Sequence, residues 1–319
     1  MSKIAASNQG YVQHGIGFVG SAVARAIHER YPDMHVCGVD VNQRAIESLC
    51  AYGIPACETA DVYRYREYEV HAVSVPTPPG DGKWGYDLTT LTTTLRMLGK
   101  RVLRNTDRYK LIIIRSTVYP GTTEEVLLPT LEAASDKRCG SDFGLVYNPE
   151  FLAQATAYED ALDPPLIVCG CSDDHAYERF CSYFDRFPCS IVRLPSYKAA
   201  ESCKLSNNVL NATTIALVNE LRDTFESGGM ENEEVDAALL ALQDTAFAKT
   251  KPTYALERRG PYGGACLPKE MHAIRTAARA RGITPQIVQS ADEANTDMKR
   301  EIDAEHEIVE DTPKKAVKH

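Results

Sequence analysis

No stretch of this 319-residue sequence approaches the roughly 20 consecutive apolar residues that cross a bilayer, which argues against a helical membrane protein. The first residues, Met1 to Gly10, are small and polar and lack the apolar core of a signal peptide. Basic residues are in deficit: 35 Lys and Arg against 44 Asp and Glu leave a net charge of -9. That sign disfavours nucleic acid and anionic membrane surfaces as partners, since both bind basic faces. Ten cysteines are scattered along the chain, and the close pair Cys169 and Cys171 lacks a second pair or histidines at zinc-like spacing. Neither a structural metal nor a disulfide framework is expected, so reduced thiols in a cytoplasmic protein are. Tryptophan occurs once, at Trp84, and there is no internal repeat or low-complexity tract. What is present is 44% hydrophobic with a mean hydropathy of -0.30, enough for roughly two globular domains.

The chain begins with a pattern that carries a mechanism. Tyr11-Val12 reads as a short strand running into Gly15-Ile16-Gly17-Phe18-Val19-Gly20, then a helical stretch from Ser21 to Arg30, then His35 to Asp40 as a strand ending in an acid. Strand, glycine turn, helix, strand and acid is the order of a dinucleotide-binding unit. The glycines permit a tight turn and let backbone N–H groups meet a pyrophosphate at the helix N-terminus. Asp40 would accept hydrogen bonds from the adenosine ribose and repel a 2′-phosphate, which favours NAD over NADP. One irregularity is Gln13-His14, which makes the entering strand unusually polar.

Further strands are expected at Val70 to Val75, Leu111 to Ile114, Leu145 to Tyr147 and Leu166 to Val168, with a helix from Leu91 to Val102. Short apolar runs of this kind mark a buried parallel sheet, whose ligands lie beyond the strands' carboxyl ends, where Thr77, Thr117 and Glu150 fall. After Pro195 the texture changes. Ser196 can cap a helix, and neither proline nor glycine interrupts Tyr197 to Ser227 before Gly228-Gly229. Leu210, Leu217, Val218, Leu221 and Phe225 form its expected apolar side; Glu201, Lys204, Asn208, Asn211 and Asn219 share a polar one. A solvated stripe usually mixes Glu and Lys, and asparagines are poor helix formers that need another reason. Helices are also expected at Glu231 to Phe247, Met271 to Arg281 and Ile283 to Met298, and residues from Asp303 onward read as a charged, solvated tail. Between the first two lies Gly260-Pro261-Tyr262-Gly263-Gly264-Ala265-Cys266-Leu267-Pro268-Lys269-Glu270, where bare backbone adjoins a cysteine and charges able to tune a thiol.

Seven segments occur in register: Gly15 to Gly20 with Asp40, Val75-Pro76-Thr77-Pro78, Ser116-Thr117-Val118, Asn148-Pro149-Glu150-Phe151-Leu152, Glu201 with Lys204 and Asn208, Asn219-Glu220, and Gly263 to Lys269. Together they resemble the UDP-glucose/GDP-mannose dehydrogenase family from about Tyr11 to Lys299. The resemblance implies a Rossmann-type α/β domain over residues 1–195, a mostly helical dimerisation and catalytic domain over 196–302, and a tail over 303–319. It implies metal-free oxidation of a nucleotide-sugar C6 alcohol to the carboxylate with NAD, UDP-glucose to UDP-glucuronate being the first expectation. Cys266 resembles the nucleophile of a thiohemiacetal and thioester, Lys204 and Asn208 the groups that stabilise the oxyanion, Glu150 the acid that activates water, and Thr117 a hydroxyl that orders water, with Glu270 beside the nucleophile.

NAD contacts are implied for Gly15, Gly17, Phe18, Val19, Gly20, Asp40, Pro76, Thr77 and Thr117. Substrate contacts are implied for Phe151, Leu152, Lys204, Asn208, Tyr262, Gly263 and Gly264, and a homodimer for the helix over 197–227. Departures from the family pattern are Gln154 in place of a second glutamate, Glu270 in place of aspartate, and Ala265 in place of serine. The family's third, nucleotide-holding domain is not matched. That leaves as alternatives an NAD-binding homologue without turnover, or a dehydrogenase for GDP-mannose or a UDP-N-acetylhexosamine.

Overall fold

The computed structural model describes residues 10–171, 173–244 and 260–310. The chain divides into two compact units, Met1–Gly80 with Tyr86–Leu205, and Asp81–Gly85 with Ser206–His319.

The first unit is an eight-stranded sheet. Strands β1 (Gly10–His14), β2 (His35–Asp40), β3 (Ala56–Glu58), β4 (Val70–Val73), β5 (Lys110–Ile114), β6 (Phe143–Tyr147), β7 (Leu166–Cys171) and β8 (Ser190–Leu194) lie in the order β3-β2-β1-β4-β5-β6-β7-β8. The first six pair in parallel, and order reverses between β1 and β4, the switch point beside which α/β sheets bind ligands. Helices α1 (Phe18–Arg30), α2 (Gln43–Ala51), α3 (Thr89–Arg101), α4 (Leu128–Ser135), α5 (Ala157–Leu162) and α6 (Asp174–Ser182) link them. All five residues of β5 and of β6 are buried, as expected for strands covered on both faces.

The sheet is parallel except at one place: β7 runs antiparallel to β6, and β8 then pairs in parallel with β7. The connection explains it. Six-residue α5 spans only about 9 Å, too little to carry the chain back along a strand, so β7 starts from the end where β6 stopped. Two short strands, β3 and β8, had no clear sequence signal, since three to five half-buried residues without alternation resemble a loop.

The polar end of β1 is resolved by pairing. Gln13 and His14 are fully buried. The Gln13 amide donates to the Ser74 hydroxyl at 3.0 Å and to the His14 carbonyl at 3.2 Å, and accepts from the Tyr11 hydroxyl at 3.0 Å. His14 Nε2 faces His71 Nδ1 on β4 at 3.1 Å with the rings stacked. Burial pushes the His14 pKa down to about 3 and holds His71 well below its usual value, so both rings are neutral and can share one hydrogen.

Helix α7 (Tyr197–Ser227) spans 31 residues with the bounds read from the sequence. The Ser196 hydroxyl accepts from Ala199 N at 3.1 Å, and the helix stops at Gly228-Gly229. The boundary between the two compact units falls within α7, between Leu205 and Ser206. The reason is that the opening turns of α7 are tied to the sheet: the Tyr197 hydroxyl donates to the Leu145 carbonyl at 3.0 Å, and Glu201 accepts from Gly121 N at 2.6 Å and Thr123 N at 2.8 Å.

The second unit adds α8 (Asn232–Leu240), α9 (Leu267–Arg279) and α10 (Gln286–Glu310). The α8 segment ends in a 3₁₀ turn at Ala241–Asp244, and residues 245–247 of the helix expected there lie outside the described residues. Helix α10 begins after Pro285 and continues through Glu310, with Asp303 and Ala304 exposed on it. Its core joins Ala212, Ile215 and Ala216 of α7 to Tyr262 and Met271. The expected faces of α7 are corrected here. Glu201, Lys204, Asn208 and Asn219 are buried, whereas Leu210 and Leu217 are 51% and 54% exposed.

Candidate active site

The glycine turn after β1 is built by sterics. A Cβ at Gly20 would lie 1.8 Å from the Gly15 carbonyl oxygen, so only glycine lets α1 pass this close to the turn. Gly15 takes a φ of +78°, with its N–H bonded to the Val39 carbonyl at 2.9 Å. At Gly17 the position of a Cβ meets nothing within 4 Å, and as N-cap of α1 it offers no capping side chain. Bare N–H groups at a helix start, open to the outside, suit a pyrophosphate. Asp40 closes the turn: one carboxylate oxygen accepts from Ile16 N at 2.8 Å, the other from Asn42 N at 2.8 Å. Each oxygen keeps a lone pair for a ribose hydroxyl, so these residues fit a dinucleotide.

Beyond the turn, the ends of β4, β5 and β6 are laced together. The Thr77 hydroxyl donates to the Thr117 carbonyl at 2.7 Å, Ser116 to the Val75 carbonyl at 2.7 Å, and Tyr147 to the Ser116 carbonyl at 3.3 Å. Both Thr77 and Thr117 are buried. Past β6, Asn148 donates to the Val168 carbonyl at 2.6 Å, which fixes the start of the Pro149-Glu150 turn. One Glu150 oxygen accepts from Leu152 N at 2.7 Å, and the other faces Lys204 Nζ at 3.4 Å. Both side chains of the pair are nine-tenths or more buried, and Lys204 lies 5.5 Å from the centre of the Phe151 ring. An acid and an amine from distant segments thus meet away from water, where their charges act most strongly. Phe151 and Leu152 are half-buried, and Gln154, at the family's second glutamate position, is exposed.

Glu201 has a different role. Both its oxygens cap the 121–123 turn, and burial, partly offset by these hydrogen bonds, raises its pKa. Its place in the motif is structural.

In the second unit Cys266 is the N-cap residue of α9, half-buried and without a disulfide. Asn208, one turn beyond Lys204 on α7, is buried. The loop before Cys266 is pinned from behind. Asn219 donates to the Gly260 carbonyl at 2.8 Å, and Asn295 of α10 accepts from Tyr262 N at 2.6 Å while donating to the Tyr262 carbonyl at 3.2 Å. These bonds supply the missing reason for a helical asparagine at 219, and Asn295 is a positioning residue that the sequence did not single out.

Tyr262 is fully buried, with its hydroxyl donated to Asp292 at 2.7 Å. Gly263 is open where a side chain would stand, and Gly264 takes a φ of +73°. Glu270 is buried and paired with Lys269 at 3.0 Å. Among the described residues no group of His, Cys, Asp and Glu could hold a metal, and no helix is long and apolar enough to cross a membrane.

Comparison with known proteins adds an independent line. Residues 56–187 match the NAD binding domain of one family of dehydrogenases, and residues 198–297 match its central domain, the family being described as UDP-glucose/GDP-mannose dehydrogenase. The UDP-glucose 6-dehydrogenase AglM of Haloferax volcanii is 31% identical over 302 residues, covering 88% of this chain and 68% of that protein. The GDP-mannose 6-dehydrogenase of Pseudomonas putida is 30% identical over 302 residues, covering 88% and 66%. A UDP-glucose dehydrogenase from the archaeon Pyrobaculum islandicum superposes with a TM-score of 0.80 at 22% identity, covering 94% of this chain and 71% of that one. The chain therefore spans about two thirds of the length of the curated relatives it matches.

Proposed function

Because the chain belongs to the UDP-glucose/GDP-mannose dehydrogenase family and NAD is its cofactor, we propose that it oxidises UDP-glucose at C6 to UDP-glucuronate. The balance is one alcohol, two NAD+ and one water giving one carboxylate, two NADH and three protons. The observation that carries this reading is the buried Glu150–Lys204 pair beyond β6.

When bound, the cofactor accepts hydride. The glycine turn and Asp40 would hold it, and the chain's own groups do the rest. Cys266, at a helix N-terminus where negative charge is favoured, adds its sulfur to the C6 aldehyde. The resulting alkoxide is the species from which the second hydride leaves, giving a thioester. Lys204 Nζ and the Asn208 amide, one helical turn apart, stabilise the oxyanion at C6. Glu150 takes a proton from the water that attacks the thioester, with Lys204 Nζ 3.4 Å from its carboxylate. Gly263 and Gly264 leave backbone for the sugar to lie against.

The test is NADH production with UDP-glucose, GDP-mannose and UDP-N-acetylhexosamines. Near-equal identity to GDP-mannose 6-dehydrogenases favours GDP-mannose as the second reading, and turnover with it alone would replace UDP-glucose. No NADH with any sugar would leave an NAD-binding homologue.

Two outcomes bear on parts of this proposal. NAD+ should bind at least about tenfold more tightly than NADP+, because a 2′-phosphate would meet the Asp40 carboxylate; equal affinities by titration calorimetry contradict the role given to Asp40. The exposed Leu210, Leu217 and Phe225 recur along one side of α7 and support dimerisation there. Light scattering should give twice the 35.2 kDa chain mass. The double variant Leu210→Glu, Leu217→Glu should give a monomer, and a wild-type monomer ends the proposal.

A further inference from the structure

We propose that the first unit holds a second small-molecule site, a cavity of about 210 Å³ that takes an apolar monocarboxylate on the guanidinium of Arg115. Val23 and Ala26 of α1, with Phe184 and Phe187 after α6, give it apolar walls, and Arg115, Asn148, Glu150 and Asp160 are its polar lining. None of Gly15 to Gly20, Asp40, Thr77 or Thr117 lines it, so it is separate from the dinucleotide turn; Glu150, Phe151 and Leu152 of the candidate sugar site form part of its wall.

Arg115 is what demands an occupant. It sits at the end of β5, only 7% exposed, with its Nε unpartnered. Its guanidinium lies near the Tyr11 hydroxyl and 5.4 Å from the centre of the Phe184 ring. Among the described residues no carboxylate pairs with it. The two acids that line the same cavity are engaged elsewhere: Glu150 with Leu152 N and Lys204, Asp160 with Ala153 N and the Thr156 hydroxyl. A buried cation without an anion is unfavourable, and a ligand that brings the anion gains what the chain itself does not supply.

Asn148 refines the ligand. Its Nδ2 is fixed by two carbonyl acceptors, at Val168 and Pro149, which leaves Oδ1 buried and unpartnered as an acceptor. A hydroxyl next to the ligand's carboxylate would satisfy it. An engineered apolar cavity of about 150 Å³ takes up benzene, so the space here suits a ring or branched chain bearing a carboxylate.

Calorimetric titration of the full chain with mandelate, benzoate and benzyl alcohol tests this. We expect both acids to bind at least ten times more tightly than the alcohol, with unchanged affinity under saturating NAD+. Arg115→Met should fold, since it removes an unpaired buried charge, and should lose at least tenfold in acid affinity. Ala26→Leu, which narrows the cavity and keeps the cation, should lose affinity too. Absence of binding to ~10 mM, equal binding of the alcohol, competition by NAD+, or undiminished binding by Arg115→Met overturns the proposal. The readout is binding alone, so it succeeds or fails apart from the dehydrogenase reading.

Discussion

Cys266→Ser should lower the rate of carboxylate formation by between about 10³- and 10⁶-fold, the range seen when an enzyme loses its nucleophile. The residue is half-buried, which leaves a sulfur able to meet substrate, and it begins α9, where backbone N–H groups have no helical partner. Serine matches the thiol in shape, but its hydroxyl is a poor nucleophile without a base to activate it. NAD+ affinity should be unchanged, because the glycine turn and Asp40 belong to the other unit. The measurements are acid formation by chromatography and NAD+ binding by calorimetry. Unchanged acid formation removes Cys266 from the chemistry, while joint loss of activity and NAD+ binding reports misfolding.

Glu150→Gln should separate the two halves of the reaction. Glutamine keeps the length of the side chain but carries no charge for Lys204 and cannot accept a proton from water. Both hydride transfers precede hydrolysis, so mixing enzyme with substrate should release a burst of two NADH per site and then stall. Steady turnover should fall about 10²- to 10⁴-fold, the usual contribution of a general base. The stalled enzyme should carry the sugar as a thioester on the peptide containing Cys266, detectable by mass spectrometry. Turnover within a few fold of the parent, or a stall with no adduct on that peptide, would assign hydrolysis to another group. Gln154 is no substitute, being exposed and without an ionisable group.

Much of this architecture is written locally. The bounds of α7 and the conformation of the glycine turn depend on near neighbours in the chain: Gly15 needs its left-handed φ, Ser196 caps its own helix, and Gly228-Gly229 ends it. Such signals survive in a sequence because cause and effect lie a few residues apart. The motif order from Gly15 to Lys269 likewise identified the family, since seven short segments in register leave little room for coincidence.

What the sequence could not decide was always a question of partners. Gln13 and His14 looked wrong for a strand until Ser74 and His71 arrived from β4 and its exit to satisfy them. Periodicity located two faces on α7 but not which was buried, and the polar one went inside because Gly121, Thr123, Glu150 and Gly260 offered it bonds. The polar atoms of Tyr262 could be buried because Asp292 takes its hydroxyl and Asn295 its backbone N–H. Helix caps and turns are fixed by chain connectivity, whereas burial of a polar group is favourable only when a complement stands opposite it. That complement comes from dozens of residues away, so only the folded chain reveals that Glu150 has its cation and that Arg115 still needs an anion.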